Sequence, residues 1–321
     1  MDLKKADFRG GLMSTWTASS GRQDAGRILQ REPLTFTVLL NWNGWKDTVD
    51  CLSSLQKLEY GNNRTIVVDN GSTNDSVSRI RAQFPQVEII ETGENLSFAG
   101  GCNAGIRAAL ERGADYVWLL NNDTTVDRLA LGALVERAEQ DTRIGAVGAI
   151  LYYMADPSRI QTWGGLRVNL WTGRFSFLEG ASSMNHFQYI SGASLLIKAL
   201  AIKNIGLLDD SFFMYGEDAD YGFRLRKAGW SLSVAEDARV WHKDAASTGR
   251  KSPMHDFYFN SAAVQFFQRY ARVPVCPIVM GFGVKLLKRV IQGDWRGVGA
   301  VSRGLLNGWQ KRAIRSSLSC Q

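Results

Sequence analysis

The amino-acid sequence predicts an α/β protein built on a doubly wound, mostly parallel sheet. Three observations predict it. Apolar, β-branched runs alternate with helical stretches along the first part of the chain, as strands crossed over by helices do. Three of those runs end abruptly in polar clusters: Asn41-Trp42-Asn43, Asp69-Asn70-Gly71-Ser72 and Asn121-Asn122-Asp123. The chain has 321 residues, 45% hydrophobic and 21% charged, which supplies a large core and excludes a disordered polymer.

Each element has its own signal. Thr35 to Leu40 is a buried strand that runs into the turn Asn41-Trp42-Asn43-Gly44. Val49, Leu52 and Leu55 recur at helical spacing. Arg64 to Val68 is a second strand, stopped by Asp69-Asn70-Gly71-Ser72. Ser76 to Phe84 is a short helix closed by Pro85, and Val87 to Ile90 is a third strand. Asn103 to Arg112 is a helix ended by Gly113. Tyr116 to Leu120 is a fourth strand. In such sheets ligands bind outside the carboxyl ends of the strands, where all three polar clusters fall. The second half is less regular. Gln188 to Lys198 reads as a strand with a glycine break, Tyr221 to Ala228 as a helix, and Ser231 to Val234 and Arg239 to Trp241 as short strands. Beyond Met254 the pattern is helical.

Several segments carry residues suited to chemistry. Asp123 follows a buried strand, where a carboxylate can hold a hard cation against a diphosphate. The same residues serve equally as a strand-end turn that caps a helix. Gly216-Glu217-Asp218-Ala219-Asp220 gathers three acids; a carboxylate there can take a proton from a hydroxyl, or simply suit a helix dipole. Asp209 and Asp210 precede an apolar stretch, Phe212 to Tyr215, that reads as a hinge delivering those acids. His242 follows a strand and is one of three histidines, with His186 and His255. Asn95 to Gly105 is glycine-rich and opens a helix; it either cradles phosphate or makes a tight turn before a packed helix. It is not GxGxxG, and no GxxxxGK[ST] occurs, which argues against a dinucleotide-binding oxidoreductase and a P-loop enzyme.

The order of these segments is more specific than any one of them. VLLNWNG, VVDNGS, NLSFAGGCNAG, LLNNDT, ISGASLLIK, GEDADYGFRLRKAGW and VWHKDAAST follow one another. In this order they resemble glycosyltransferase family 2, and within it the bacterial rhamnosyltransferase-like branch, over about Thr35 to Tyr270. The resemblance implies the GT-A (nucleotide-diphospho-sugar transferase) fold and an inverting transfer of a sugar to a hydroxyl of a glycan or lipid-linked glycan in cell-surface polysaccharide synthesis. It implies Mg2+ or Mn2+ as cofactor, with Asp123 and His242 as metal contacts. Asn43, Asp69, Asn70, Asn103 and Asn122 become donor-nucleotide residues. Asp218 becomes the catalytic base with Glu217 beside it, and Gly192, Ala193 and Asp220 line the acceptor and sugar region. The first candidate donor is dTDP-rhamnose and the second a UDP-sugar. The sequence departs from the family pattern twice. Asn121-Asn122-Asp123 lacks the first carboxylate of the DxD motif, and Cys102 stands where relatives often carry Asn.

The sequence also bears on two alternatives of other classes. A sugar nucleotidyltransferase needs a glycine-rich, Arg-bearing loop after the first strand, and Asn41 to Trp45 is not one. A non-catalytic glycan-binding protein of the same fold has no need for Asp69, Asp123 and Asp218.

The division expected is a flexible N-terminal extension (1–32), a catalytic domain (33–250) and a helical, basic, amphipathic segment (251–321). From Arg269 onward there are ten Lys and Arg and a single acid, Asp294, while the rest is close to neutral. Val284, Leu287, Ile291 and Trp295 recur at i, i+3, i+7 and i+11 on one helical face. That predicts a tail that lies on an anionic membrane, with packing on the chain's own core or on a second subunit as the alternative. No apolar run reaches the ~20 residues a membrane span needs. No leader-like segment is visible, and Cys51, Cys102, Cys276 and Cys320 form no CxxC pair. The expectation is a reduced cytoplasmic enzyme, peripheral on the inner face of the plasma membrane, without a nucleic-acid partner.

Overall fold

The computed structural model describes residues 32–178, 180, 187–243 and 252–318, with side chains through residue 310. The N-terminal extension before Glu32, His186, Cys320, residues 244–248 of the last motif and the side chains of Lys311, Arg312 and Arg315 lie outside the described residues.

The alternation read from the sequence is present. It runs β1 (Thr35–Asn41), α1 (Trp45–Leu55), β2 (Asn63–Asp69), α2 (Ser76–Gln83), β3 (Glu88–Glu91), α3 (Ser97–Glu111) and β4 (Tyr116–Asn121). There follow β5 (Thr124–Val126), α4 (Ala130–Glu139), β6 (Ile144–Tyr153), β7 (Asp156–Thr162), β8 (Gly165–Val168), β9 (Phe175–Phe177), β10 (Tyr189–Ile190), β11 (Ser194–Lys198), α5 (Ala199–Ile205), α6 (Glu217–Lys227) and β12 (Ser231–His242). Three helices complete the chain: α7 (Pro253–Tyr270), α8 (Val275–Ile291) and α9 (Trp295–Leu318).

The main sheet has the order β3-β2-β1-β4-β11-β6-β12-β5, with β7 on β6. β1 to β4 are parallel, and β12 is parallel to β6. β11 runs antiparallel between β4 and β6. Both faces of the sheet are covered at its centre, so β1, β4, β6 and β11 are largely buried along their length rather than alternating. Leu39, Val67 and Trp118 point into one core cluster, and Val38, Val68 and Val117 into the other. The Trp118 indole donates to Ser194 Oγ at 2.9 Å and satisfies its buried N–H. A third cluster packs Phe266 and Phe267 of α7 against Leu166 and Phe212.

Four local expectations change. The strand read over Gln188 to Lys198 is two strands in different sheets, parted at Ser191-Gly192-Ala193. The two short strands after Ser231 are one strand, β12, with its register shifted between Ala235 and Arg239. Where the turn was expected to cap a helix from Val126, a short strand, β5, pairs with β12. The glycine-rich segment serves packing: a Cβ at Gly101 would come within 2.4 Å of Leu40 and one at Gly105 within 2.4 Å of Val38. Bare glycine brings α3 down onto the sheet. Cys102 is buried in the same core, and burial pushes its thiol pKa up.

Candidate active site

The three polar strand ends form one connected network. Asn122 Nδ2 donates to Thr48 Oγ1 at 2.9 Å, and Thr48 Oγ1 donates to Asn41 Oδ1 at 2.9 Å. Asn41 Nδ2 donates to Asp69 Oδ1 at 2.7 Å. Asp69 also accepts from Ser72 Oγ at 2.7 Å and Ser72 N at 3.0 Å. Ser72 Oγ in turn accepts from Asn43 N at 2.8 Å. Asn43 has φ 57°, a left-handed conformation that asparagine tolerates, and its Oδ1 accepts from Thr73 N at 2.9 Å. Parallel pairing sets this up: β1 aligns Asn41 with Asp69 and Leu40 with Asn121, so the strand ends come level. Asn43, Asp69 and Asn122 therefore meet in one place.

Asn70 and Asn103 do not offer free polar atoms. Asn70 Oδ1 accepts from Leu96 N at 3.0 Å and its Nδ2 donates to Ser97 O at 2.9 Å. Asn103 makes a two-way bond with the Leu208 backbone, at 2.9 and 3.0 Å, in a buried position. Both amides close loops through these bonds.

Asp123 lies just past β4 and is buried, and His242 ends β12. Antiparallel pairing of β12 with β5 puts His242 opposite Thr124 and brings its Nε2 to 3.4 Å from Asp123 Oδ1. Asn121 Nδ2 lies 3.4 Å from the same nitrogen. His242 Nδ1 sits 3.1 Å from Gln161 Oε1 on β7; an amide oxygen only accepts, so Nδ1–H donates there and the ring's Nε2 edge faces Asp123. One carboxylate and one imidazole converge, and no larger group of His, Cys, Asp or Glu suited to a metal occurs among the described residues. This donor pair fits a divalent cation that takes the rest of its shell from diphosphate oxygens and water.

The second centre is the start of α6. Tyr215 and Gly216 take left-handed conformations, φ 68° and 87°, and turn the chain sharply into the helix. Tyr215 is held against His255 and Phe259, with ring centroids 5.2 and 6.1 Å away. Asp218 Oδ2 accepts from Gly192 N at 3.2 Å and Oδ1 from Ala219 N at 2.8 Å. Burial raises the Asp218 pKa against the opposing pull of those N–H groups. Glu217 is buried and its Oε2 has no hydrogen-bond partner among the described residues. Burial, then the Asp218 charge, raises its pKa. Phe98, half-buried like Phe213 and Tyr258, stands beside Gly192, and the Phe213 and Tyr258 rings stack at 4.8 Å.

The two centres are joined by the chain between β10 and β11. Ala193 O accepts from Asn121 N at 3.0 Å, while Gly192 N donates to Asp218. Gly192 and Ala193 thus sit between them. Asp220 does not join this cleft. It is 1% exposed and takes bonds from Arg224 Nε at 2.7 Å, Arg269 Nη1 at 2.8 Å and Tyr270 OH at 2.8 Å. Two residues along a helix is about 200° of rotation, so Asp218 and Asp220 face opposite ways. These bonds tie Asp220 to its own helix and to α7.

Sequence reading missed Thr48, Gln161 and the Asn121 side chain. Thr48 lies inside an otherwise ordinary helix, and β7 has no strand pattern: Asp156 to Arg159 are exposed and polar.

Comparison with known proteins bears on this site. A curated N-acetylglucosaminyl-diphospho-decaprenol L-rhamnosyltransferase from Mycobacterium tuberculosis is 30% identical over 215 residues, covering 59% of this chain and 69% of that protein. A poly-beta-1,6-N-acetyl-D-glucosamine synthase from Staphylococcus aureus is 26% identical over 217 residues, and the match spans half of the synthase and 65% of this chain. Among solved structures, GalNAc-T7 with UDP, GalNAc and Mn2+ superposes with TM-score 0.63 at 14% identity, over 78% of this chain and 50% of that one. The mannosyltransferase PcManGT from Pyrobaculum calidifontis, with GDP-Man and Mn2+, gives TM-score 0.54 at 16% identity, over 90% and 81%. These two establish the GT-A fold. Residues 35–260 match the family model described as glycosyltransferase like family 2, so the chain belongs to that family and is a glycosyltransferase.

Proposed function

We propose that the enzyme moves a sugar, with inversion, from a nucleotide diphosphate to a hydroxyl of a lipid-linked glycan in cell-surface polysaccharide synthesis. The donor is rhamnose from dTDP-rhamnose. One observation carries the reading: residues 192–193 touch both the Asn121–Asp123 turn and Asp218, so donor phosphate and acceptor hydroxyl would meet across them. The M. tuberculosis relative supports the choice of sugar and of a lipid-linked acceptor. The S. aureus synthases favour a second reading, UDP-N-acetylglucosamine as donor.

Asp69, Asn43 and Asn122 hold the nucleotide side of the donor. Asp123 and His242 would hold Mg2+ or Mn2+, which supplies Lewis-acid charge neutralisation at the departing diphosphate. Asp218 takes the proton of the acceptor hydroxyl as its oxygen bonds to the anomeric carbon. The bond from that carbon to the phosphate oxygen breaks, and the nucleoside diphosphate leaves with the electron pair. The two backbone N–H groups on Asp218 aim its carboxylate. A general base of this kind contributes about 10²–10⁴ in rate. Residues 33–250 form the catalytic domain and 251–321 the segment that holds the enzyme on the cytoplasmic face of an anionic membrane.

The test offers dTDP-rhamnose or UDP-N-acetylglucosamine with a short-chain polyprenyl-diphospho-N-acetylglucosamine, in Mn2+, Mg2+ or EDTA, and reads products by mass spectrometry. Metal-dependent rhamnosylation is expected. Transfer from the UDP-sugar alone selects the second reading, and nucleotide binding without transfer to this acceptor removes the acceptor reading.

A further inference from the structure

Helix α8 is amphipathic in the reverse sense for a helix on a protein surface. Two of its three charges face inward: Lys285 Nζ lies 2.8 Å from Asp256 Oδ1 and Arg289 Nη2 2.6 Å from Asp256 Oδ2. Phe282 is buried on the same inner side. The apolar residues face outward. Val284 is 71% exposed, Leu287 61% and Ile291 77%, and Val279, Met280 and Val290 are exposed with them. At 100° per residue Met280, Val284, Leu287 and Ile291 fall within an arc of about 60°. The helix read continuously through to Trp295 in fact breaks at Gly293, φ 66°. Trp295 opens α9 at 69% exposure. Single exposed apolar residues are ordinary, but a contiguous face of this size marks a surface that something covers.

We propose that this outer face of α8 lies in an anionic lipid bilayer, in the plane of the headgroups, with Trp295 at its edge. The proposal rests on the peripheral-membrane reading above and narrows it to one face. It also removes Lys285 and Arg289 from the lipid-binding set, because Asp256 already holds them. Arg272, Lys288, Arg296 and Arg303 are the exposed cations after Arg269 that have no ion-pair partner among the described residues, and they are the ones left for headgroups. Asp294, the only acid from Arg269 to the end of the chain, is held by Arg289 and by Gly297 N. The rim of the face is therefore cationic, which complements an anionic surface. A second copy fits it less well, since a two-fold contact sets this cationic-rimmed patch against the same patch of the other copy. No helix among the described residues is long and apolar enough to cross a membrane, and α8 with 17 residues suits lying along one. Tryptophan is at home in the interface.

The experiment is co-sedimentation of the full chain with vesicles of phosphatidylglycerol and phosphatidylethanolamine, against phosphatidylcholine vesicles. Leu287→Glu with Ile291→Glu changes only exposed positions, and Lys288→Ser with Arg296→Ser tests the rim. Binding of a nucleoside diphosphate by thermal shift serves as the control for folding. The wild type is expected in the anionic pellet, the charge pair a few-fold weaker and less salt-sensitive, and the glutamate pair weaker by about tenfold or more. Wild type that stays in solution overturns both the membrane reading and this inference. Wild type and glutamate pair that pellet alike overturn the inference alone. A wild-type dimer made monomeric by the glutamate pair, with vesicle binding unchanged, gives the face to a second copy and also overturns it.

Discussion

At the start of α7, Asp256 is 1% exposed and is held between Lys285 and Arg289. At the start of α6, Glu217 and Asp218 are desolvated side by side, and no Lys or Arg among the described residues pairs with either. Asp220, in the same turn of α6, follows the first pattern with Arg224 and Arg269. A buried charge needs a partner, and its desolvation costs several kcal/mol when none is supplied. Where the fold provides cations, the carboxylate holds elements together. Where it supplies none, the carboxylate is left for the proton transfer proposed above. The difference separates architecture from chemistry more sharply than burial alone, since both regions bury their acids.

The largest effect should come from the unpaired region. Asp218→Asn is expected to lower kcat by about 10²–10⁴ while leaving donor binding near normal, because a base acts in the transition state. The acid limb of the wild-type kcat profile should lie above the ordinary aspartate value of about 3.9, since burial raises this pKa. Steady-state kinetics on the true acceptor decide this; near-normal turnover would move the base elsewhere.

The paired region should answer in stability instead. Asp256→Ala leaves Lys285 without its acid and Arg289 with Asp294 alone, and is expected to cost about 3 kcal/mol, read by urea denaturation. A loss below about 1 kcal/mol would show that the pairing is decorative and would dissolve the comparison.

Asp123→Asn should keep the fold and abolish the enhancement of nucleoside-diphosphate affinity by Mn2+ or Mg2+. Calorimetric titration with and without metal checks it, and equal enhancement in variant and wild type would take Asp123 out of the donor set.

The smallest effect is a change of slope. The folded pKa of Glu217 is raised, first by burial and then by Asp218. Folding therefore takes up a proton there. That contribution is fully present below the unfolded value of about 4.3 and is lost as pH rises through the folded value. Glu217→Gln is expected to flatten the fall of stability with rising pH, by a margin on the order of 1–3 kcal/mol between acid and mildly alkaline solution. Denaturation curves at several pH values measure it; an unchanged slope would mean that Glu217 is not the group that resists ionisation.

Much of the donor side was legible in the amino-acid order. In a doubly wound sheet ligands bind outside the carboxyl ends of the strands, so Asn41, Asp69 and Asn121-Asn122-Asp123 pointed to one end of the sheet, and the observed register brings them level. The acids at the start of α6 were visible because charge clusters at a helix N-terminus stand out locally. Thr48 and Gln161 were not, because each acts through a partner distant in sequence: Asn122 lies 74 residues from Thr48, and His242 lies 81 from Gln161. The separate duties of Asp218 and Asp220 were hidden for the same reason, as Arg269 is 49 residues from Asp220.

The sequence by itself determined the period of each element and the residues at each strand end. For α8 it determined that Val284, Leu287 and Ile291 share a face. Periodicity sets the angles between residues on a helix but leaves the roll of that helix free. Only the tertiary structure decided the roll: Asp256, buried on α7, drew Lys285 and Arg289 inward and left the apolar side of α8 outside.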